Sequence, residues 1–287
     1  MNFRNALAAT AMAAALCVTL GGVEAQELSK YPNWKGQWSR FINPGRNDVL
    51  NPGFDEVNAF GPGQPAPLTP EYQKVFQDSM ADQAKGGIGN YFTILCRARG
   101  MPNMMTFGNH EYIVTPETTY ILLGGEDRYR RIFTDGREWP KDLEPTYQGY
   151  SLGRWIDEDG DGRYDTLEVE TRGPFKGPRS YDASGLPLHF DNDSVFKERF
   201  YLEKGNPNVL HDEITTIDRA LTRPWTVDKR YRRSANPLAA WPEQYCGDSN
   251  NQIMIGKENY FLSYDGVLMP AKKDQAPPDL RYFKAQK

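Results

Sequence analysis

Histidine and cysteine are scarce in this chain, with three of each in 287 residues. The histidines, His110, His189 and His211, are too far apart to build a His-x-His or His-Glu-x-x-His zinc motif. No phosphate-binding loop or dinucleotide fingerprint occurs, which argues against kinase and dehydrogenase chemistry. After residue 25 no apolar run approaches the roughly 18 residues that a membrane-spanning helix requires. An excess of either charge is also missing. The chain has 34 basic and 38 acidic residues, a formal net charge of −4, and its basic residues are scattered rather than clustered. Nucleic acid is therefore a poor fit as a partner. No internal repeat and no Gly/Ser linker separates two halves.

The chain is instead rich in turn-formers and aromatics. With 21 prolines, 26 glycines and 13% aromatic residues it has frequent turns and enough aromatic surface to line a core or a pocket. Residues 1–25 read as a secretory signal: Arg4 gives a basic start, Ala6 to Leu20 is apolar, and Val23-Glu24-Ala25 is a small-residue cleavage site. Cys17 lies within that run, but Ala14-Ala15-Leu16 is a poor lipoprotein box. The expected location is periplasmic or secreted. Cys96 and Cys246 survive cleavage, and in an oxidising compartment a disulfide between them is the natural pairing, with two buried free thiols as the alternative. Such a bond would close a loop of about 150 residues and contribute on the order of 5 kcal/mol.

The most specific motif is acidic. Asp157-Glu158-Asp159-Gly160-Asp161-Gly162-Arg163-Tyr164-Asp165-Thr166-Leu167-Glu168 fits a twelve-residue calcium loop, with Asp at positions 1, 3 and 5, Gly at 6 and Glu at 12. Ca²⁺ takes six to eight oxygens at about 2.3–2.6 Å. Asp157, Asp159, Asp161, the Arg163 carbonyl, Asp165 through a water, and Glu168 are the expected ligands. The flanks are not those of an EF-hand. Gly149 to Ile156 is too glycine-rich for a helix, and Thr166 to Thr171 alternates like a strand. The motif is thus expected to cap a β-hairpin and to hold a structural calcium rather than to act as a sensor. A solvated acidic hairpin tip is the plainer reading.

The rest of the pattern is that of a mainly β protein. One helix is expected near residues 69–86, opened by Thr69 as N-cap and Pro70 in the first turn, with Tyr72, Val75, Phe76 and Met80 at helical spacing. Strands are expected at Tyr112–Thr115, Tyr120–Leu123, Arg130–Asp135, Asp193–Leu202 and Leu210–Ile217. Short successive strands favour one antiparallel meander or closed barrel spanning residues 26–287, with long loops, over a parallel sheet.

These strands carry a family resemblance. Gly100-Met101-Pro102, Arg130 to Arg137, Gly149 to Trp155, Asp165 to Thr171 and Glu198-Arg199-Phe200 together resemble a widespread set of exported bacterial proteins with no settled activity. The resemblance runs from about Trp34 to Cys246. In typical members the tryptophan is followed almost directly by Gly-Asp-Thr-Leu, so the acidic loop looks like an insertion between Trp155 and Asp165. Gly36-x-Trp38 ahead of antiparallel strands is also similar to the calycin (lipocalin-like) barrel, which implies a small hydrophobic or aromatic ligand in the barrel mouth.

Candidate chemistry centres on Glu198, which strand alternation places beside Phe196 and Phe200 on an inner face. Arg131 is the expected partner, forming either a structural ion pair or an anion clamp. Glu198 or Glu111 is the candidate general base, and Tyr147, Tyr150 and His189 are candidate proton donors. His211, among Asp212 and Glu213, reads as surface. The function expected is binding of a small aromatic or lipid-like molecule, with or without cofactor-free lyase, isomerase or hydrolase chemistry. A non-catalytic carrier and a structural envelope protein are the alternatives.

Overall fold

The computed structural model describes residues 28–40, 66–106, 109–124, 128–177, 180–182, 184–189, 191–236, 240–241, 251–263 and 265–279. The expected signal segment 1–25 and Cys246 lie outside them, so the expected Cys96–Cys246 pairing does too.

Nine strands close into a barrel: β1 (Gln37–Arg40), β2 (Asn109–Val114), β3 (Thr118–Leu123), β4 (Arg128–Phe133), β5 (Tyr150–Ile156), β6 (Thr166–Arg172), β7 (Val195–Glu203), β8 (Asn206–Ile217) and β9 (Trp225–Arg233). The expected mainly β barrel is thus what the chain forms. Neighbours pair in sequence order, and β9 returns to β1 through Trp38↔Arg233, Ser39↔Arg232 and Arg40↔Tyr231. One junction departs from a meander. β4 and β5 are parallel, through Ile132↔Ser151 and Phe133↔Leu152, because the chain between them crosses from one end of the barrel to the other.

Alternation decides what lies inside. On β7, Phe196, Glu198 and Phe200 are buried while Lys197 faces solvent. On β9, Trp225, Val227, Lys229 and Tyr231 turn inward. Large side chains line the interior, among them Trp38, Trp225, Phe196, Phe200, Met101 and Met105. Burial of a side chain of this size contributes about 1.5–3 kcal/mol. Both barrel ends are stoppered. At the end where β5 finishes, Trp34 packs on Trp155 (4.9 Å), Tyr112 (5.4 Å) and Phe200 (6.2 Å). At the end where β9 begins, Tyr181 packs on Trp225 at 5.0 Å.

The helix, α1 (Pro70–Gln83), starts as expected, with the Thr69 side chain accepting from the Tyr72 N–H. Its buried face differs from the expected stripe. Tyr72 and Phe76 pack on the core and Ser79 is buried, whereas Val75 is exposed. Ser79 is inside because its hydroxyl accepts from the Asn90 N–H at 2.9 Å. Outside the barrel a small antiparallel sheet, β10 (Gln252–Ile255), β11 (Glu258–Leu262) and β12 (Leu268–Pro270), is tied to α1 by Lys272, which reaches Asp82 and Glu258.

Gly149, at the start of β5, has φ +72°, and a Cβ there would lie 2.6 Å from the Arg172 carbonyl oxygen and 2.5 Å from the Phe175 ring. Backbone cannot yield as a flexible side chain can. Gly149→Ala is expected to lower unfolding free energy by about 1–3 kcal/mol through the left-handed conformation and the clash. A denaturant midpoint unchanged from wild type would show that this turn is not built as described.

Candidate functional site inside the barrel

The barrel encloses charge. Arg130 on β4 and Glu198 on β7 are fully buried and meet across the interior. Arg130 Nη1 donates to Glu198 Oε1 at 2.8 Å, and Nη2 donates to Glu198 Oε2 and to Thr171 Oγ1 at 2.8 Å. The Ser151 hydroxyl accepts from Nε and Nη2. Such bidentate pairing satisfies the guanidinium fork, which a lysine could not reproduce. Burial works against the Arg130 charge, but the Glu198 carboxylate outweighs it and holds the guanidinium pKa above its usual value.

Beside this satisfied pair lies an unsatisfied one. Asp212 on β8 and Lys229 on β9 are directly opposed in register, inward-facing and buried. Neither Asp212 carboxylate oxygen has a hydrogen-bond partner among the described residues, and neither does Lys229 Nζ. Lys229 instead stands 5.4 Å from the centre of the Tyr181 ring. Asp182, next to Tyr181 in the stopper, is also buried. Its Oδ1 accepts from the Ser184 N–H and hydroxyl, while its Oδ2 has no partner. Thr119 and Thr216 add buried hydroxyls without partners. A buried polar group left unpaired costs about 1–3 kcal/mol, and a charged one more.

Burial shifts the proton affinity of each of these groups. Burial, reinforced by the Glu198 charge, pushes the Asp212 carboxyl well above the ordinary carboxylate range. Burial alone, partly offset by hydrogen bonds from Ser184 and the Lys229 charge, lifts Asp182 to about 6. Burial also lowers Lys229 to about 8, against the pull of Asp182 and Asp212. Tyr112, Tyr181 and Tyr231 surround the cluster as neutral phenols, their pKa values raised well above normal by burial. His110 is also interior, 4.7 Å from the Tyr231 ring.

The structure redistributes the expected site. Glu198 is interior, as alternation predicts, but its partner is Arg130 rather than Arg131. Arg131 points outward, with its guanidinium 5.4 Å from the Phe133 ring centre. Phe133 misleads the parity because it is an outer-wall residue, stacked on Tyr150 at 5.1 Å and covered by Arg137 at 3.9 Å. Glu111 faces outward while its neighbour His110 faces in. His189 lies at the surface beside α1, its ring against the Tyr72 hydroxyl and 3.7 Å from Asp191. Tyr147 is half-buried, and its carbonyl accepts from the Met101 N–H at 3.3 Å. Glu111, Arg131, Tyr147 and His189 therefore do not converge on Glu198. His211 is on the outer wall, stacked on Tyr201 and 3.1 Å from Asp228.

An open trough of about 620 Å³ runs along the outer wall over β5–β8. Its charges are mutually paired: Arg154 with Glu168 at 2.7 Å, Arg199 with Glu158 and with Glu213 at 3.7 Å, and Lys197 with Glu170 at 3.7 Å. A surface where each charge already has a partner has little left to direct a ligand.

The acidic loop follows β5. Asp157, Asp159 and Asp165 bring carboxylate oxygens within 4.8 Å of one another. Asp157 also ties the turn, accepting from the N–H groups of Gly160, Asp161 and Gly162. Asp165 Oδ1 is buried with no hydrogen-bond partner among the described residues. Three clustered carboxylates and one orphaned buried oxygen fit a hard cation. The remaining expected ligands are placed differently. The Asp161 carboxylate accepts from the Arg163 N–H at 2.8 Å, and Glu168, already in β6, is drawn to Arg154 and Arg199.

Comparison with known proteins identifies no relative. No protein-family model matches the chain, and neither does any curated protein or solved structure.

Two substitution series test this geometry. Glu198→Leu alone leaves a buried arginine uncompensated and is expected to cost about 3–5 kcal/mol, while adding Arg130→Met should recover most of that loss. Strict additivity in urea unfolding would contradict a direct pair. For Asp212 the sign follows from its raised pKa. The folded state binds this proton more tightly than the unfolded state, so the residue costs stability as pH rises above the ordinary value of 3.8. Asp212→Asn should therefore gain stability relative to wild type between pH 4 and 7. A difference independent of pH would contradict the assignment.

Proposed function

We propose that this is an exported barrel protein that binds a small, partly aromatic molecule carrying a polar group, with Asp212, Lys229 and Asp182 as the interior clamp. The supporting observation is the full burial of Asp212 and Lys229, opposed on adjacent strands with their carboxyl and amine atoms unpartnered among the described residues. A protein gains nothing in stability from such a pair, since apolar residues of similar volume do as well or better. Tyr112, Tyr181, Tyr231 and Trp225 supply apolar and edge-polar surface around the clamp. Export is supported by Arg4, the apolar run from Ala6 and the site at Ala25.

Acid/base turnover of the lyase, isomerase or hydrolase type is a second reading, favoured by one observation. Asp182 at about 6 and Lys229 at about 8 bracket neutral pH within one enclosure, so one group can accept a proton where the other donates.

A structural calcium at the acidic loop completes the proposal. Asp157, Asp159 and Asp165 would hold it, and bound there it would neutralise their mutual repulsion. The same loop anchors the stopper, because the Tyr164 N–H donates to the Lys30 carbonyl at 2.7 Å and Tyr164 packs on Tyr31 at 5.0 Å.

Native mass spectrometry of protein purified from its own compartment should report one calcium and one small organic molecule per chain. Asp157→Ala with Asp159→Ala, or chelation, should remove the metal and lower the melting temperature by a few degrees. A melting curve indifferent to chelator would overturn the calcium. Protein carrying no organic ligand, and not stabilised by any small aromatic compound in thermal-shift screening, would leave the envelope-protein alternative.

A further inference from the structure

The interior clamp contains an amine in an unusual setting. Lys229 is the only lysine among the described residues that is fully buried, and its Nζ forms no hydrogen bond there. The other lysines are at the surface or paired: Lys74 with Asp78, Lys197 with Glu170, and Lys272 with Asp82 and Glu258. A purely structural lysine would carry its head to water or close an ion pair. Lys229 does neither, although Asp212 stands opposite it in register. Around the amine lie the Tyr181 ring, Asp212, Asp182 and Arg40.

We propose that Lys229 is a nucleophile that condenses with the carbonyl group of a small aldehyde or ketone to form an imine, with Asp212 moving the protons. This rests on the reading of the interior as the ligand site and adds its substrate class. The setting meets the needs of such chemistry. Only the neutral amine is nucleophilic, and burial raises the neutral share of Lys229 above that of an exposed lysine. Carbinolamine dehydration needs an acid near the nitrogen, and Asp212, directly opposite Lys229 in register, is a carboxyl whose protonated form burial favours.

The steps balance without a co-reactant. The Lys229 amine adds to the carbonyl carbon, forming the C–N bond, while the carbonyl π pair moves to oxygen, which takes the Asp212 proton. The nitrogen then returns a proton to the Asp212 carboxylate. That proton passes to the carbinol oxygen as the C–O bond breaks and water leaves. One amine and one carbonyl give an iminium and one water, with the Asp212 carboxylate as counter-ion and no change of oxidation state.

The test uses the full mature chain, with 4-hydroxybenzaldehyde and hexanal as probes and cyanoborohydride to reduce any iminium to a stable secondary amine. Peptide mapping of wild type should find the adduct at Lys229 at least about tenfold ahead of the exposed Lys74, as the larger neutral fraction of a lysine at about 8 implies. Lys229→Arg should abolish that adduct and leave the others, and Asp212→Asn should slow it. Modification confined to exposed lysines, with Lys229 untouched, would overturn the proposal. The same aldehydes, tested without reductant by thermal shift, separate the two ways of failing. Stabilisation without trapping refutes the imine and leaves the binding reading intact, whereas neither stabilisation nor trapping refutes both for this ligand class.

Discussion

Within the barrel an arginine and a glutamate from strands on different sides of the wall meet where water is excluded. Two charges can be kept there only because Ser151, Thr171 and Glu198 use the donors of Arg130 together, so the pair fixes the positions of β4, β5, β6 and β7 around it. It also constrains the neighbouring chemistry. Burial first, and then the Glu198 charge, raise the proton affinity of Asp212 against the pull of Arg130 and Lys229.

Much of this fold can be read from the sequence. The hairpin around Lys204-Gly205-Asn206-Pro207, the Thr69 cap and the inward position of Glu198 all follow from local rules that the structure obeys. Errors arise where apolar residues lie outside. Phe133 and Tyr150 stack on the outer wall with Arg137, which inverts the apparent face of β4 and hides Arg130 behind Arg131. The Asp212–Lys229 opposition was beyond reach for a different reason. Asp212 stands between His211 and Glu213, and Lys229 between Asp228 and Arg230, so both segments read as solvated charge. Strict alternation over the twelve residues of β8 was the one available signal, since the buried Ile214 and Thr216 share the parity of Asp212. The β4/β5 parallel junction depends on a long connection whose path no local pattern encodes.

The acidic loop and the interior are physically continuous. Aromatic contacts run from Tyr164 through Tyr31, Trp155 and Trp34 to Tyr112, whose hydroxyl lies 3.4 Å from His110 Nδ1. A cation on Asp157, Asp159 and Asp165 would stiffen the outermost link of this series without touching the clamp. In the proposed reading the labour divides: the loop secures one stopper of the barrel, and the enclosed charges carry the recognition.

The account is tested most directly by a high-resolution crystal structure of the protein isolated from its native compartment. The prediction is non-protein density between Asp212 and Lys229, with polar atoms at about 2.7–3.2 Å from the carboxylate or the amine. A direct Asp212–Lys229 ion pair, closed over a dry interior with no room between the side chains, would contradict it.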